Sequence, residues 1–358
     1  MPRQLKIGRL LQLLLLITVL STTRMVAAEP YNIKIGAALP LSGATARAGI
    51  DIRRGFELAI QDLSADPNVK YQLLVEDSQY DLAKTVSAIQ KLATVDQADV
   101  LISLWDTADA IAPIADQINK LHTAIRWNNN IAKQYRNTFT FESTYQTWSE
   151  QFLQLLHQKG IKKVAILHHE SNGWDLALSV FESQAAQYGI ELISIQRYLP
   201  GERDFRSIVL KALSKKPDAI LINDAGENLE LIAKQVRSIK PTQFISGYLG
   251  YPIDYTLFEG AEFISQLSTS PEFEQRFQKT YGEKMYVRAQ LAYDMIMLIG
   301  RAYSEFKLKP STAEIVDRLR AQKSFNGASG LIQNIDGKTF STTCQKMQIL
   351  NGQVVASK

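Results

Sequence analysis

The sequence predicts an α/β protein of two doubly wound parallel-sheet lobes, and three observations predict it. Its 358 residues exceed the roughly 100 to 200 of one ordinary domain. From Ile33 onward, short apolar runs alternate with longer stretches whose apolar residues recur at three- and four-residue spacing, the pattern of successive β-α units. That alternation runs through one series and then restarts in a second. With 46% hydrophobic and 21% charged residues and no internal repeat, the composition is globular.

Residues 1–28 read as a secretory leader. Arg3, Lys6 and Arg9 make a basic start, 10–20 form an apolar run, and Val26-Ala27-Ala28 supplies small residues for cleavage before Glu29. The apolar run is about half the roughly 20 residues that a bilayer span needs. The leader holds four of the 40 Lys and Arg and none of the 36 Asp and Glu. Subtracting it leaves 36 of each sign and no basic cluster suited to a phosphate backbone, so nucleic acid is not an expected partner. Cys344 is the single cysteine, which excludes an internal disulfide and leaves stability to the apolar core.

After the leader, 33–39, 71–75, 99–103 and 123–126 are buried-strand candidates, with helices at 48–63, 82–93 and 107–121 between them. The second series sets strands at 163–167, 191–195, 218–222 and 243–246 among helices at 145–157, 174–188, 204–213 and 227–239. The Thr/Phe stretch 137–144 between the series reads as an extended crossover. Helices at 272–281, 289–306 and 313–322 then return the chain to the first lobe, and turn-rich 326–330 and 336–337 delimit a hairpin-like end.

Several local patterns occur in a telling order. They are Ile33-Lys34-Ile35-Gly36 through Pro40-Leu41-Ser42-Gly43, then Ala46, Gly49 and Gly55-Phe56-Glu57-Leu58-Ala59. Val75-Glu76-Asp77-Ser78-Gln79 and Ala112-Pro113-Ile114-Ala115-Asp116 follow, and after them Tyr198, Pro200-Gly201, Asp204-Phe205 and Lys216-Pro217-Asp218-Ala219. Ala292-Tyr293-Asp294 and Gly327-Ala328-Ser329-Gly330 with Asp336-Gly337 close the series. Together they resemble the type I periplasmic binding proteins of the leucine/isoleucine/valine-binding family, over nearly the whole chain past the leader. The resemblance implies two lobes joined by three crossovers, near 139–143, around 247–252 and just before Gly327. The implied division is 29–140 plus 252–325 for lobe 1, and 141–251 plus 326–358 for lobe 2. It also implies a cofactor-free, monomeric substrate-binding component of an ABC uptake transporter, closing on a small solute and delivering it to an inner-membrane permease. With no cysteine at the cleavage point, the expected location is the free periplasm rather than a lipid anchor.

Open α/β sheets bind ligands beyond the carboxyl ends of their strands, which selects the loops to read. Ser42, beside Gly43, suits either a helix cap or a ligand approach. After the third strand come Trp105, Asp106 and Thr107. The resemblance gives Thr107 a ligand carboxylate to hold, while Asp106 is an N-cap or a ligand contact. Asn128 and Asn130 stand where relatives carry a small Ser/Gly/Thr loop, Asn130 aligning with a carboxylate-contacting threonine; turn formation is the other reading. Asn172 and Trp174 follow His168-His169, where relatives place Tyr-Gly, and Trp174 is a cleft wall or helix packing. Adjacent histidines face apart on a strand and no third ligand has matching spacing, so no metal is expected.

Asp224 lies where amino-acid-binding relatives carry a stacking tyrosine, and Tyr248 or Leu249 where they carry an ammonium-binding glutamate. These departures separate the expected specificity from leucine, isoleucine and valine. Asp106 and Asp224 on opposite lobes, near Trp105, Trp127, Trp174 and Tyr248, suit a cationic or aromatic solute. No GxSxG, HExxH, CxxC or Walker motif occurs, so an enzyme is not expected. The alternative reading is a sensor or assembly factor that uses this fold to bind a protein.

Overall fold

A computed structural model describes residues 29–357, apart from 251, 252 and 267; the leader reading lies outside the described residues. Tyr31–Leu39 (β1), Ala46–Leu63 (α1), Val69–Asp77 (β2), Leu82–Thr94 (α2), Val100–Leu104 (β3), Ala108–Gln117 (α3), Leu121–Ile125 (β4), Asn130–Gln134 (α4) and Thr138–Phe141 (β5) form the first series. Tyr145–Gln158 (α5), Lys163–His169 (β6), Asn172–Gln184 (α6), Glu191–Tyr198 (β7), Arg206–Ser214 (α7), Ala219–Asn223 (β8), Glu227–Ile239 (α8) and Phe244–Gly247 (β9) form the second. After them come Glu262–Ser265 (β10), Pro271–Tyr281 (α9), Ala289–Ser304 (α10) and Thr312–Ala321 (α11). Ser324–Gly327 (β11), Gly330–Asn334 (β12), Thr339–Thr342 (β13), Gln345–Leu350 (β14) and Gln353–Ala356 (β15) end the chain.

Strands β3, β4, β5 and β8 are buried at every residue, because helices cover both faces of a parallel sheet. The first sheet runs β2-β1-β3-β4-β5-β13-β12-β11 and the second β7-β6-β8-β9, so each lobe is wound outward in both directions from its first strand. Each lobe has its own core: Phe56, Phe139, Phe141 and Phe340 centre the first, and Trp148, Phe152, Phe181 and Phe205 the second. Helix starts are fixed by local chemistry. Asp81 accepts from the Lys84 amide at 2.8 Å, Ser270 caps α9 ahead of Pro271, and Ser311 and Glu314 cap α11 reciprocally. No described helix is long and apolar enough to cross a membrane.

The lobe boundaries depart from the expected ones at two places. Residues past 252 stay with the second lobe, because Phe258, Phe263 and Ile264 join its core and β10 pairs antiparallel with β14. The cluster 326–330 is not a crossover. It is the turn of the β11–β12 hairpin, and β13 continues the first sheet by pairing parallel with β5. The chain therefore changes lobe after β5, after β10 and after β13. In the division read from the resemblance, 326–342 belonged to lobe 2; the pairing puts it in the first sheet. An edge strand that completes a sheet from far along the chain carries no local sign of its partner, which is why the turn signal read as a boundary.

Helix α10, buried over most of its length, packs along α1. At Gly55 a Cβ would lie 2.2 Å from the Ala289 carbonyl oxygen, so only glycine permits this approach. Further along α10, the Asp294 carboxylate accepts from the backbone amides of Ala328 and Ser329, both at 2.7 Å, and from the Ser329 hydroxyl. Burial pushes its carboxyl up to about 6 against the opposing pull of these donors. Gly55→Val is expected to lower the stability of the protein by about 3 kcal/mol through overpacking at the α1–α10 contact, read as an earlier urea midpoint at unchanged slope.

Candidate functional site

Each of strands β1 to β9 ends in a loop that reaches one cleft of about 440 Å³ between the lobes. Thr45, Tyr80, Trp105, Asp106, Trp127 and Glu142 line it from the first series; His169, Ser171, Gly173, Trp174, Pro200, Asp224, Ala225 and Tyr248 line it from the second. Arg288, at the residue before α10, adds a cation. The convergence follows from topology, since parallel strands point all their carboxyl ends the same way. Nine described non-glycine residues hold positive φ, and four of them, Tyr80, Trp105, Glu142 and Arg288, line this cleft. Such conformations cost of order 1–3 kcal/mol each and persist where surrounding contacts hold them. Here the Tyr80 amide donates to the Ser78 hydroxyl at 3.4 Å, Arg126 holds the Trp105 carbonyl at 2.6 Å, and the Glu142–Arg288 pair holds the other two.

The walls are aromatic. In the first lobe Tyr80 meets Trp105 edge-on at 5.1 Å. Trp127 leaves β4 and reaches into the second lobe, meeting Trp174 edge-on at 4.7 Å and Tyr248 at 6.0 Å. Gly173 makes this possible, because a Cβ there would lie 2.9 Å from the Trp127 indole nitrogen.

The floor is polar and continuous with the hinge. Nε and Nη2 of Arg288 converge on one Glu142 carboxylate oxygen at 3.0 and 2.7 Å, and Nη2 also donates to the Tyr248 hydroxyl at 3.1 Å. Tyr248 in turn donates to Gln266 Oε1 at 2.9 Å. Gln266, Ser143 and Thr342 each belong to a different crossover. The Ser143 backbone amide donates to the Thr342 hydroxyl at 3.2 Å, that hydroxyl donates to the Gln266 backbone carbonyl at 3.2 Å, and Gln266 Nε2 donates to the Ser143 carbonyl at 3.4 Å. Burial pushes the Glu142 carboxyl up, and the Arg288 guanidinium pulls it back.

Of the residues selected from the sequence, the structure brings Trp105, Asp106, Trp174, Asp224 and Tyr248 together in the cleft. Ser42, Thr107, Asn128, Asn130 and Asn172 are not among its lining residues. Ser42 donates to Asp77 at 2.6 Å. The buried Thr107 hydroxyl donates to its own turn, at the Leu104 carbonyl 2.7 Å away. The Asn128 side chain accepts from the Asn130 amide at 3.1 Å, the turn-forming reading of that loop. Asn172 opens α6 exposed to solvent.

Asp106 makes no helix cap. It lies 3.6 Å from Arg126, and burial raises its pKa, with Asp109 adding to the rise and Arg126 opposing it. Asp224 is almost fully enclosed, accepting from the Tyr198 hydroxyl at 2.7 Å, Asn228 Nδ2 at 2.9 Å and the Ala225 backbone amide at 2.7 Å. The two aspartates read as a cation seat are thus already engaged. Glu142, His169 and Arg288 were missed. The glutamate closing the apolar run Phe139-Thr140-Phe141 was a visible signal; Arg288 carried none. His168 turns inward, bonded to Asp175 and Asn223, while His169 faces the cleft.

Two lobes with separate cores, a three-stranded hinge and a solute-sized cleft at the strand ends define a two-lobed binding protein. The chain belongs to the Periplasmic binding protein family, whose profile matches residues 32–353, a family of solute-binding proteins rather than enzymes. Leu/Ile/Val-binding protein homolog 7 of Brucella suis biovar 1 is 22% identical over 287 residues, covering 70% of this chain and 71% of that protein. The fold matches the LivJ branched-chain amino acid transporter substrate-binding protein of Streptococcus pneumoniae, solved with isoleucine, at TM-score 0.80 and 22% identity over 91% of this chain and 98% of that one. It equally matches a solute binding protein of an ABC transporter from Rhodopseudomonas palustris BisB5, solved with 3,4-dihydroxybenzoic acid, at TM-score 0.80 and 19% identity over 91% and 95%.

Arg288→Ala leaves Glu142 as an uncompensated buried carboxylate and is expected to cost about 3 to 5 kcal/mol in urea unfolding at neutral pH. Without its partner, the folded-state pKa of Glu142 rises further above the unfolded value, so protonation stabilises the variant at low pH and that gain disappears as pH rises through the folded value. Its deficit is expected to be smaller at pH 5 than at pH 8.

Proposed function

We propose that the chain is the substrate-binding component of an ABC uptake transporter, exported to the periplasm by its leader. It takes up a small solute in the cleft between the lobes, and a permease recognises the solute-bound form. The observation that carries this reading is the convergence of nine strand ends and four positive-φ residues on a cleft of a volume suited to a small organic molecule. Enzymes of comparable build place a nucleophile and base within hydrogen-bond reach, whereas this cleft offers aromatic faces and paired charges.

Closure follows from the floor. A solute that contacts both the Tyr80–Trp105 wall and the Trp174–Tyr248 wall binds more tightly when the walls are together, and that difference alone shifts the population toward the closed form. Tyr248 ties the contact to Gln266 and hence to all three crossovers. Five aromatic lining residues, Tyr80, Trp105, Trp127, Trp174 and Tyr248, favour a planar aromatic metabolite over a branched aliphatic amino acid. The 3,4-dihydroxybenzoic acid held by the Rhodopseudomonas protein supports that preference, and the isoleucine of the Streptococcus protein marks the other ligand class carried by this architecture.

The test is a thermal-shift and calorimetric screen on protein unfolded and refolded to strip any carried ligand, using aromatic acids, aromatic amines, amides, aliphatic amino acids and nucleobases. A true solute at a thousandfold over its Kd is expected to stabilise the protein by about 4 kcal/mol. Trp174→Ala is expected to weaken it tenfold or more. Silence across the panel from folded protein would instead point to a protein partner.

A further inference from the structure

His169 is the lining group whose chemistry the protein itself leaves unused. It ends β6, its ring stacks on Tyr198 at 5.6 Å and 15°, and Nδ1 lies 3.2 Å from the Asp224 carboxylate. Asp224 thus engages Nδ1, while Nε2 has no hydrogen-bond partner among the described residues. A buried polar atom left unpaired costs about 1–3 kcal/mol, which a solute bearing the matching group would recover on binding.

The surroundings decide what that group is. Asp224 accepts three hydrogen bonds, from Tyr198, Ala225 and Asn228. An ionised carboxylate against Nδ1 favours the imidazolium, which has two donors and no acceptor. One N–H is directed by charge toward Asp224; the other lacks an acceptor. The other lining carboxylates are balanced, Glu142 by Arg288 and Asp106 by Arg126, and the Asp224 oxygens are engaged by Tyr198, Ala225, Asn228 and His169. Resting on the reading of the cleft as an aromatic-solute site, we propose that His169 binds the carboxylate of an aromatic acid through a charge-assisted hydrogen bond, making an anionic aromatic the solute class of this protein.

Proton affinity agrees in sign. Asp224 raises the pKa of His169 above its ordinary 6.5, burial opposes the rise, and Asp175 adds to it from further away. On the neighbouring elements, Arg197 of β7 is drawn toward Asp175 at 3.7 Å, and Tyr198 keeps its phenol protonated because burial drives its pKa far up. A carboxylate ligand favours the imidazolium further. Acid binding is therefore tight below the His169 pKa and weakens as pH rises through it.

The experiment is calorimetry of the full protein with benzoate, 3,4-dihydroxybenzoate and indole-3-acetate, against benzamide as neutral probe and benzylamine as cation, from pH 6 to 9. At least one acid is expected to bind tenfold or more tighter than benzamide at pH 6. Its affinity is expected to fall by up to tenfold per pH unit above the His169 pKa, with uptake of a proton measured from buffers of different ionisation enthalpy. His169→Gln is expected to remove both the pH dependence and the preference for acid over amide. His157→Gln, at an exposed histidine bonded to the Tyr188 carbonyl, is expected to retain both. Flat acid affinity across this pH range, acid preference surviving in His169→Gln, or benzylamine binding more tightly than the acids each overturns the proposal and leaves the solute-binding reading standing. Absence of binding by every aromatic probe, whatever its charge, overturns the aromatic-cleft reading and this proposal together.

Discussion

The structure depends on how three passages of chain meet between the lobes. A doubly wound sheet exposes its strand ends on one edge, and two such edges make a site only if something holds them opposite each other. Ser143, Gln266 and Thr342, one from each passage, are joined in a closed ring of hydrogen bonds. Tyr248 links that ring to Arg288, and Arg288 to Glu142. These bonds hold the two edges opposite each other, and Tyr248, which lines the cleft, is bonded directly to them.

The charges at the pivot are nearly removed from water, with Glu142 and Arg288 exposing 2% and 6% of their side chains. A pair buried this deeply adds little net stability over an apolar replacement, yet it penalises every arrangement that parts the two groups. That asymmetry suits a hinge, where a defined angle matters more than extra stability. The positive-φ backbone at both residues belongs to the same compromise, since the strain is sustained by the contact it makes possible.

Much of the fold was legible because parallel strands are buried on both faces and appear as unbroken apolar runs; 33–39, 99–103 and 218–222 all became central strands close to their expected bounds. The chain's later course was harder to read. Thr339–Thr342 belongs beside Thr138–Phe141, some two hundred residues earlier, and no local pattern records that pairing. The cleft divided in the same way. Trp105, Asp106, Trp174, Asp224 and Tyr248 follow strand ends and could be found by that rule. Thr107 and Asn128 follow strand ends too but turn back onto their own loops, a choice set by backbone geometry rather than residue type. Arg288 escaped because it precedes a helix and reaches the site through tertiary packing alone.

Three of the chain's four tryptophans line the cleft, and the fourth, Trp148, packs in the second-lobe core against two of them. Trp105 borders the first lobe's wall, while Trp127, Trp148 and Trp174 cluster around Tyr248 from both sides. Indole emission responds to local polarity, to neighbouring charges and to energy passed between adjacent rings. Excited at the red edge of its absorption, this molecule emits from the cleft walls and from the second-lobe core beside them. Its ultraviolet emission therefore comes in large part from the walls that a solute would touch, with no attached dye needed.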